Sequence, residues 1–265
     1  MLKNLDQLSI SIDGAIAQVS LNRPAKRNAI SDALVAQLHT CFINLPAAVR
    51  VVVLGGIGDH FCAGLDLSEL SDHDIAGGIS HSRSWHAAFD AIQNGRVPVV
   101  AVLHGAVIGG GLELASSAHI RIAEDDAFYA LPEGQRGLFV GGGGSVRIPR
   151  LVGLSMMTDM MLTGRVLDAD EGHRAGLSSY RVAPGKGLEL ALELARKIAG
   201  NAPLSNFAVL QALPRICGMS QDDGLFVESL VAAMAQGDPA AKDRMRDFLA
   251  GKAAKVAKSA KAGPQ

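Results

Sequence analysis

Glu113 and Glu133 are the residues of this chain best suited to move protons. Each sits in a glycine-rich segment, Gly109-Gly110-Gly111-Leu112-Glu113-Leu114 and Pro132-Glu133-Gly134-Gln135-Arg136-Gly137. Two carboxyl groups buried beside each other drive their pKa values apart, so that one can act as base while the other acts as acid. The glycines before Glu113 leave backbone N–H groups bare at the positive end of a helix dipole. Such donors can hold negative charge developing on an oxygen. A third segment, His60-Phe61-Cys62-Ala63-Gly64-Leu65-Asp66-Leu67, offers another donor-rich turn, because Ala63 and Gly64 let a ligand reach the backbone. Each segment also has a plainer reading: a dipole-favoured first-turn carboxylate, a Glu133 that is solvated or paired with Arg136, and a strand-to-helix turn capped by Asp66. Glu113 and Glu133 are too far apart in sequence to share a helix face, so only tertiary folding can bring them together.

The elements that must position these segments follow from periodicity. Leu8 to Ile12 and Ala15 to Leu21 alternate around Asp13-Gly14, which predicts a β-hairpin. Ser31 caps a predicted helix running to about Leu45. Val49 to Leu54 and Val97 to Val107 read as buried strands, and Ser82 to Asn94 as a helix between them. Leu112 to Ser117 starts another helix, Ile120 to Ala123 and Phe128 to Ala130 are short strands, and helices dominate after Ser145 apart from a strand at Ser178 to Val182. The order predicts an α/β core over residues 1–200 and a helical part over 201–265. No repeat is visible in the sequence, and the Lys/Ala-rich end reads as a frayed tail.

Composition narrows the function classes. A net charge of −1 gives no electrostatic reason to expect nucleic acid or an anionic membrane as partner. Cys41, Cys62 and Cys217 are odd in number and widely spaced, which fits neither a disulfide framework nor a zinc site. The start lacks the apolar core of a secretory signal, and every apolar run is cut by charge or glycine before it reaches spanning length. These features predict a soluble cytoplasmic protein. Six of the eight histidines, His60, His73, His81, His86, His104 and His119, form no metal-ligand pattern. The spacing of Gly105, Gly109, Gly110 and Gly111 does not match a dinucleotide loop.

Over residues 8 to 250 the chain resembles the crotonase (enoyl-CoA hydratase/isomerase) superfamily. The resemblance rests on five blocks in order: Leu21-Asn22-Arg23-Pro24 with Asn28-Ala29; Phe61 to Leu67; Gly109 to Ala115; Pro132-Glu133 with Gly137, Gly143-Gly144-Ser145 and Arg147; and Leu162-Thr163-Gly164 with Ala169, Glu171 and Ala175-Gly176-Leu177. It implies a crotonase-like spiral of ββα units, with a C-terminal helical region that builds a homotrimer or homohexamer. It implies an acyl-CoA thioester as substrate, with no separate cofactor and no metal. It implies an oxyanion hole made by the N–H groups of Ala63 and Gly110, each such donor being worth ~3 kcal/mol in other enzymes. With glutamate at both acid–base positions the resemblance points to an enoyl-CoA hydratase, Glu113 activating water and Glu133 delivering the α proton. Another reaction of the superfamily (isomerisation, thioester hydrolysis, C–C cleavage) and a non-catalytic acyl-CoA or RNA-binding homologue are the alternatives.

Substrate or coenzyme-A contacts are assigned to Arg23, Lys26, Ala29, Ala63, Gly64, Leu65, Asp66, Leu67, Gly109, Trp85, Val140 and Gly141. Solvated loop charges are the alternative for Arg23 and Lys26, and core packing is the alternative for Trp85 with Phe89 one turn on. Cys62 has no visible partner base, so it reads as a small packed residue. The sequence departs from the family pattern at Val140, where proline is usual, and in the glycine run Gly141 to Gly144, which predicts a more mobile loop shaping the acyl pocket.

Overall fold

The computed structural model describes residue 2 and residues 5–69 and 74–252. His73 and the Lys/Ala-rich end from residue 253 onward lie outside the described residues. The chain divides into two compact units, Met1–Gly200 and Asn201–Gln265.

The first unit opens with the predicted hairpin. β1 (Leu8–Asp13) pairs antiparallel with β2 (Ile16–Leu21) across Gly14, whose φ of 56° suits a tight turn. From β2 the sheet grows in parallel through β3 (Val51–Gly56), β4 (Val99–Leu103), β6 (Ile120–Glu124) and β9 (Tyr180–Val182).

After four of these strands the chain makes a short extended crossing in a second layer before it enters a helix. β2 leads through Ile30 to α1 (Asp32–Ile43), and β3 leads through Cys62 and Leu65 to α2 (Ile75–Gln93). β4 leads through β5 (Ala106–Ile108) to α3 (Gly110–Ser117), and β6 through β7 (Phe128–Ala130) to α4 (Gly144–Val152). The crossings pair with one another: Ile30 bridges Leu65, Cys62 bridges Val107, and β5 runs parallel to β7, which β8 (Leu167–Asp168) closes. The unit is therefore a spiral of ββα turns, a repeat that the sequence conceals because each turn differs in loop length. α5 (Leu154–Thr163), α6 (Ala169–Ala175) and α7 (Gly187–Ala199) complete it.

The central parallel strands β3 and β4 are buried on both faces, which explains their unbroken valine runs. Val52, Leu54 and Leu103 join the cluster that holds Leu34, Leu38, Phe89 and Ile92 of α1 and α2. The alternate residues Val51, Val53, Val100 and Val102 pack instead with Ala191 and Ala195 of α7.

Two expectations are corrected here. Val97 to Val107 is not one strand: Gly105, at φ 52°, turns the chain from β4 into the second layer, and a Cβ there would meet the Asp59 carbonyl oxygen at 2.1 Å. The helix predicted from Ser82 starts at Ile75, because Asp74 accepts from the Gly77 N–H at 2.7 Å and so caps a glycine-containing first turn.

The second unit is helical: α8 (Pro203–Phe207), a π-turn at Ala208–Ala212, α9 (Leu213–Ile216), α10 (Gln221–Gly237) and α11 (Pro239–Leu249). Ser220 caps α10 and Asp238 caps α11. No described helix is long and apolar enough to cross a membrane.

Candidate active site

Each crossing of the spiral ends in a loop or helix start, and the loops from Cys62–Leu65, β5 and β7 line one cleft of about 280 Å³. Glu113 and Glu133 both line it, together with Gly109 and Gly110. Ala63, Gly64, Leu65 and Leu67 form a wall, and Trp85 and Gly141 contribute from α2 and the loop before α4.

Glu113 lies in the first turn of α3 and is 3% exposed. Its Oε1 accepts the N–H groups of Gly142 and Gly144, each at 2.8 Å. Burial pushes its pKa upward; the N–H groups of the glycine run and the nearby Arg147 guanidinium oppose that push. The run Gly141 to Gly144 is thus not a loose loop. A Cβ on Gly142 would come within 3.3 Å of the Glu113 carboxyl carbon, and one on Gly144 within 2.8 Å of its Cγ. Gly143 takes φ 95°, and Arg147 donates to the Gly142 carbonyl at 2.8 Å. Glycine is needed at these positions because the backbone itself grips the carboxylate.

Glu133 directly precedes a 3-10 turn, Gly134–Arg136. Among the described residues its Oε2 is buried without a hydrogen-bond partner. Burial is the main cause that pushes its pKa up to about 7; the charge of Glu113 adds to the shift, while its own backbone N–H and Arg136 oppose it. The environments of the two carboxyl groups therefore differ. Glu113 has donors to stabilise the ionised form, and Glu133 lacks one for Oε2.

The predicted oxyanion donors need a correction. The Ala63 N–H is already given to the Arg27 carbonyl at 3.0 Å, so it cannot serve a ligand. Among the described residues the Leu65 N–H of that loop donates no hydrogen bond. The bridge to Ile30 uses the Gly64 carbonyl and the Asp66 N–H, which turns the intervening Leu65 N–H to the other side. The Leu65 nitrogen lies 3.6 Å from where a Cβ of Gly110 would sit, and the Gly110 nitrogen 3.7 Å from a Cβ position on Gly64. Neither N–H donates a hydrogen bond among the described residues, so together they offer two bare donors on one side of the cleft. Gly64, at φ 98°, makes the turn, and a Cβ there would meet the Ile108 carbonyl oxygen at 2.9 Å. The alternation of extended backbone is the signal that could have marked Leu65 in advance.

A shallower groove of about 330 Å³ adjoins the cleft and shares Ala63, Leu65, Leu67 and Arg136 with it. Lys26, Ala29 and Asp66 line this groove instead of the cleft. Lys26 is exposed and its Nζ donates to Ser68 Oγ at 3.3 Å. Arg23 and Val140 line neither. Arg23 pairs with buried Asp66 at 3.0 Å and donates to the Ala29 carbonyl, so it clamps the loop. Hydrogen bonds from Ser68 and Arg23 hold the Asp66 carboxyl below its usual range, against burial. Val140 is 6% exposed and packs in the core. Trp85 does both things weighed for it, lining the cleft while only 4% exposed, whereas Phe89 is wholly buried behind it. Burial pushes the Cys62 thiol up to about 12, which rules out a ready thiolate. Ser82, Leu138 and Phe139 also line the cleft, and no motif marks them in the sequence.

Comparison with known proteins places this geometry among relatives. A family model described as enoyl-CoA hydratase/isomerase matches residues 11–236. The short-chain-enoyl-CoA hydratase of Clostridium acetobutylicum is 32% identical over 248 residues, covering 92% of this chain and 95% of that protein. A solved structure from Rhodopseudomonas palustris, provisionally named an enoyl-CoA hydratase, is 56% identical with a TM-score of 0.92, covering 94% of this chain and 96% of that one. A Thermobifida fusca structure of the same provisional name, in complex with acetoacetyl-CoA, is 25% identical with a TM-score of 0.81, covering 88% and 96%.

Proposed function

The chain belongs to the enoyl-CoA hydratase/isomerase family, and on that premise we propose that it adds water across the 2,3 double bond of an enoyl-CoA thioester. The observation that carries this reading is the unequal pair of carboxyl groups beside two bare N–H donors. Glu113 is held by Gly142 and Gly144, while Glu133 has an oxygen with no partner among the described residues and a pKa raised to about 7.

The thioester oxygen accepts the N–H groups of Leu65 and Gly110, which stabilise it as negative charge builds there. Ionised Glu113 takes a proton from water as the water oxygen bonds to Cβ. Protonated Glu133 gives its proton to Cα. One water is consumed, its hydroxyl on Cβ and the equivalent of its proton on Cα. The site resets when the proton on Glu113 is exchanged for one on Glu133 through solvent. Acyl-CoA and water suffice, and no further cofactor enters.

The adjoining groove with Lys26, Ala29 and Arg136 would carry the coenzyme-A portion, because it opens from the oxyanion side of the cleft and bears positive charge. A homotrimer or homohexamer fits the second unit, where Leu225, Phe226, Leu230 and Met234 of α10 are each at least half exposed in the single chain. A cytoplasmic location completes this reading.

The test follows the conjugated enoyl-thioester absorbance of crotonyl-CoA and identifies the product. Formation of 3-hydroxybutyryl-CoA supports hydration. An inert protein on short, long and aromatic 2-enoyl-CoA substrates sinks it, and a double-bond shift driven by Glu133 alone becomes the next reading.

A further inference from the structure

Ser82 sits on α2, outside every motif of the chain, and it lines the cleft. Its Oγ donates to the Gly141 carbonyl at 2.6 Å. The other end of that same peptide group is the Gly142 N–H, which donates to Glu113 Oε1 at 2.8 Å. A single planar peptide thus stands between the serine hydroxyl and the carboxylate. We infer that Ser82 is a positioning residue for Glu113: through the Gly141–Gly142 peptide it fixes the direction of the N–H that holds the carboxylate and polarises that N–H. The inference rests on the reading of Glu113 as the general base.

The physical case has three parts. A hydrogen bond accepted at a peptide carbonyl strengthens the donor at the same peptide's nitrogen, because successive hydrogen bonds polarise one another. A donor aimed at a charged acceptor contributes more than one aimed at a neutral group. Glycine at both positions removes the side chains that would otherwise stiffen the segment, so an external tie must set its orientation. Arg147 ties the next peptide, donating to the Gly142 carbonyl at 2.8 Å, and the Gly144 N–H of the peptide after that reaches Glu113. Ser82 and Arg147 therefore tie two successive carbonyls of the segment that grips Glu113, one from α2 and one from α4.

Other titratable groups face this unit. Arg147 approaches Glu113 from α4, and Asp90 of α2 lies in turn near Arg147. Glu133 lies across the cleft. His86 Nε2 lies 3.4 Å from Ser82 Oγ on the same helix. The experiment must therefore read Glu113 itself. Glutamate carboxyl carbons labelled with carbon-13 are titrated by NMR in the full chain, with the Glu113 resonance assigned by its loss in Glu113→Gln. Ser82→Ala should raise the Glu113 pKa and lower kcat by on the order of tenfold, with little change in KM. Ser82→Thr, which keeps the hydroxyl, should restore both. A Glu113 titration that is unmoved in Ser82→Ala, or an effect that Ser82→Thr fails to reverse while the variant stays folded, overturns the inference. If wild type shows no hydration yet the Glu113 titration shifts as described, the hydratase reading fails and the positioning role stands.

Discussion

The Glu133 carboxyl group rests against the bare face of Gly109: a Cβ on Gly109 would come within 2.6 Å of Glu133 Oε1. Gly109 also takes φ 52° and ψ −120°, a conformation that side chains disfavour. Gly109→Ala should therefore push Glu133 aside and strain the turn that presents the Gly110 N–H. Steady-state kinetics should show kcat falling far more than KM rises. Unchanged kcat would mean that Glu133 need not sit there for turnover.

Glu113→Gln and Glu133→Gln should each lower kcat by about 10²–10⁴-fold on crotonyl-CoA, the range for loss of a positioned acid or base. Circular dichroism should confirm that both variants stay folded. Retention of most activity by either one would remove that carboxylate from the chemistry.

Glu133, raised from its ordinary 4.5 to about 7, has two pH consequences. As the acid it must be protonated, so kcat/KM should fall as pH rises through about 7. Folding stability follows the same direction. A carboxyl that binds its proton more tightly when folded contributes fully below pH 4.5, and the contribution is lost as pH rises through about 7. Glu133→Gln should then melt higher than wild type at pH 8 and no higher at pH 4. Equal melting differences at the two values would argue against the raised pKa.

Trp85 closes one side of the cleft. Its ring carbons would lie 2.8 Å from a Cβ on Gly110 and 3.1 Å from one on Gly142, and Phe89 stacks behind it edge-on at 5.6 Å. Trp85→Leu should raise kcat/KM on longer enoyl-CoA substrates relative to crotonyl-CoA. Trp85→Ala should in addition lose about 3–5 kcal/mol of stability through the cavity it leaves. An unchanged chain-length profile in a folded variant would confine Trp85 to the core.

Arg23 and Lys26 should separate cleanly. Arg23→Ala leaves Asp66 charged and buried without its partner, so chemical denaturation should show a clear loss of stability. Lys26→Ala should leave stability alone and raise KM for the acyl-CoA, more so at low salt. The reverse pattern would make Arg23 the coenzyme-A contact.

Much of the spiral was legible from local pattern. The hairpin around Gly14, the cap at Ser31 and the valine runs of β3 and β4 are set by neighbours in the chain, and periodicity registers such neighbours. The motif blocks also named both glutamates and the Gly110 donor. The repeat itself was hidden, because the second-layer crossings at Ile30 and Leu65 are single bridges with no strand period of their own.

What the amino-acid sequence determined by itself was thus the element order, the buried strands and the residue types available for proton transfer. Tertiary structure alone decided which groups are free to act. It spent the Ala63 N–H on the Arg27 carbonyl and left the Leu65 N–H bare. It used the glycines 142 and 144 to hold Glu113, and it left one oxygen of Glu133 without a donor. Hydrogen bonds between residues far apart in the chain and the desolvation of a carboxyl group depend on what packs around them, and no local sequence pattern carries that information.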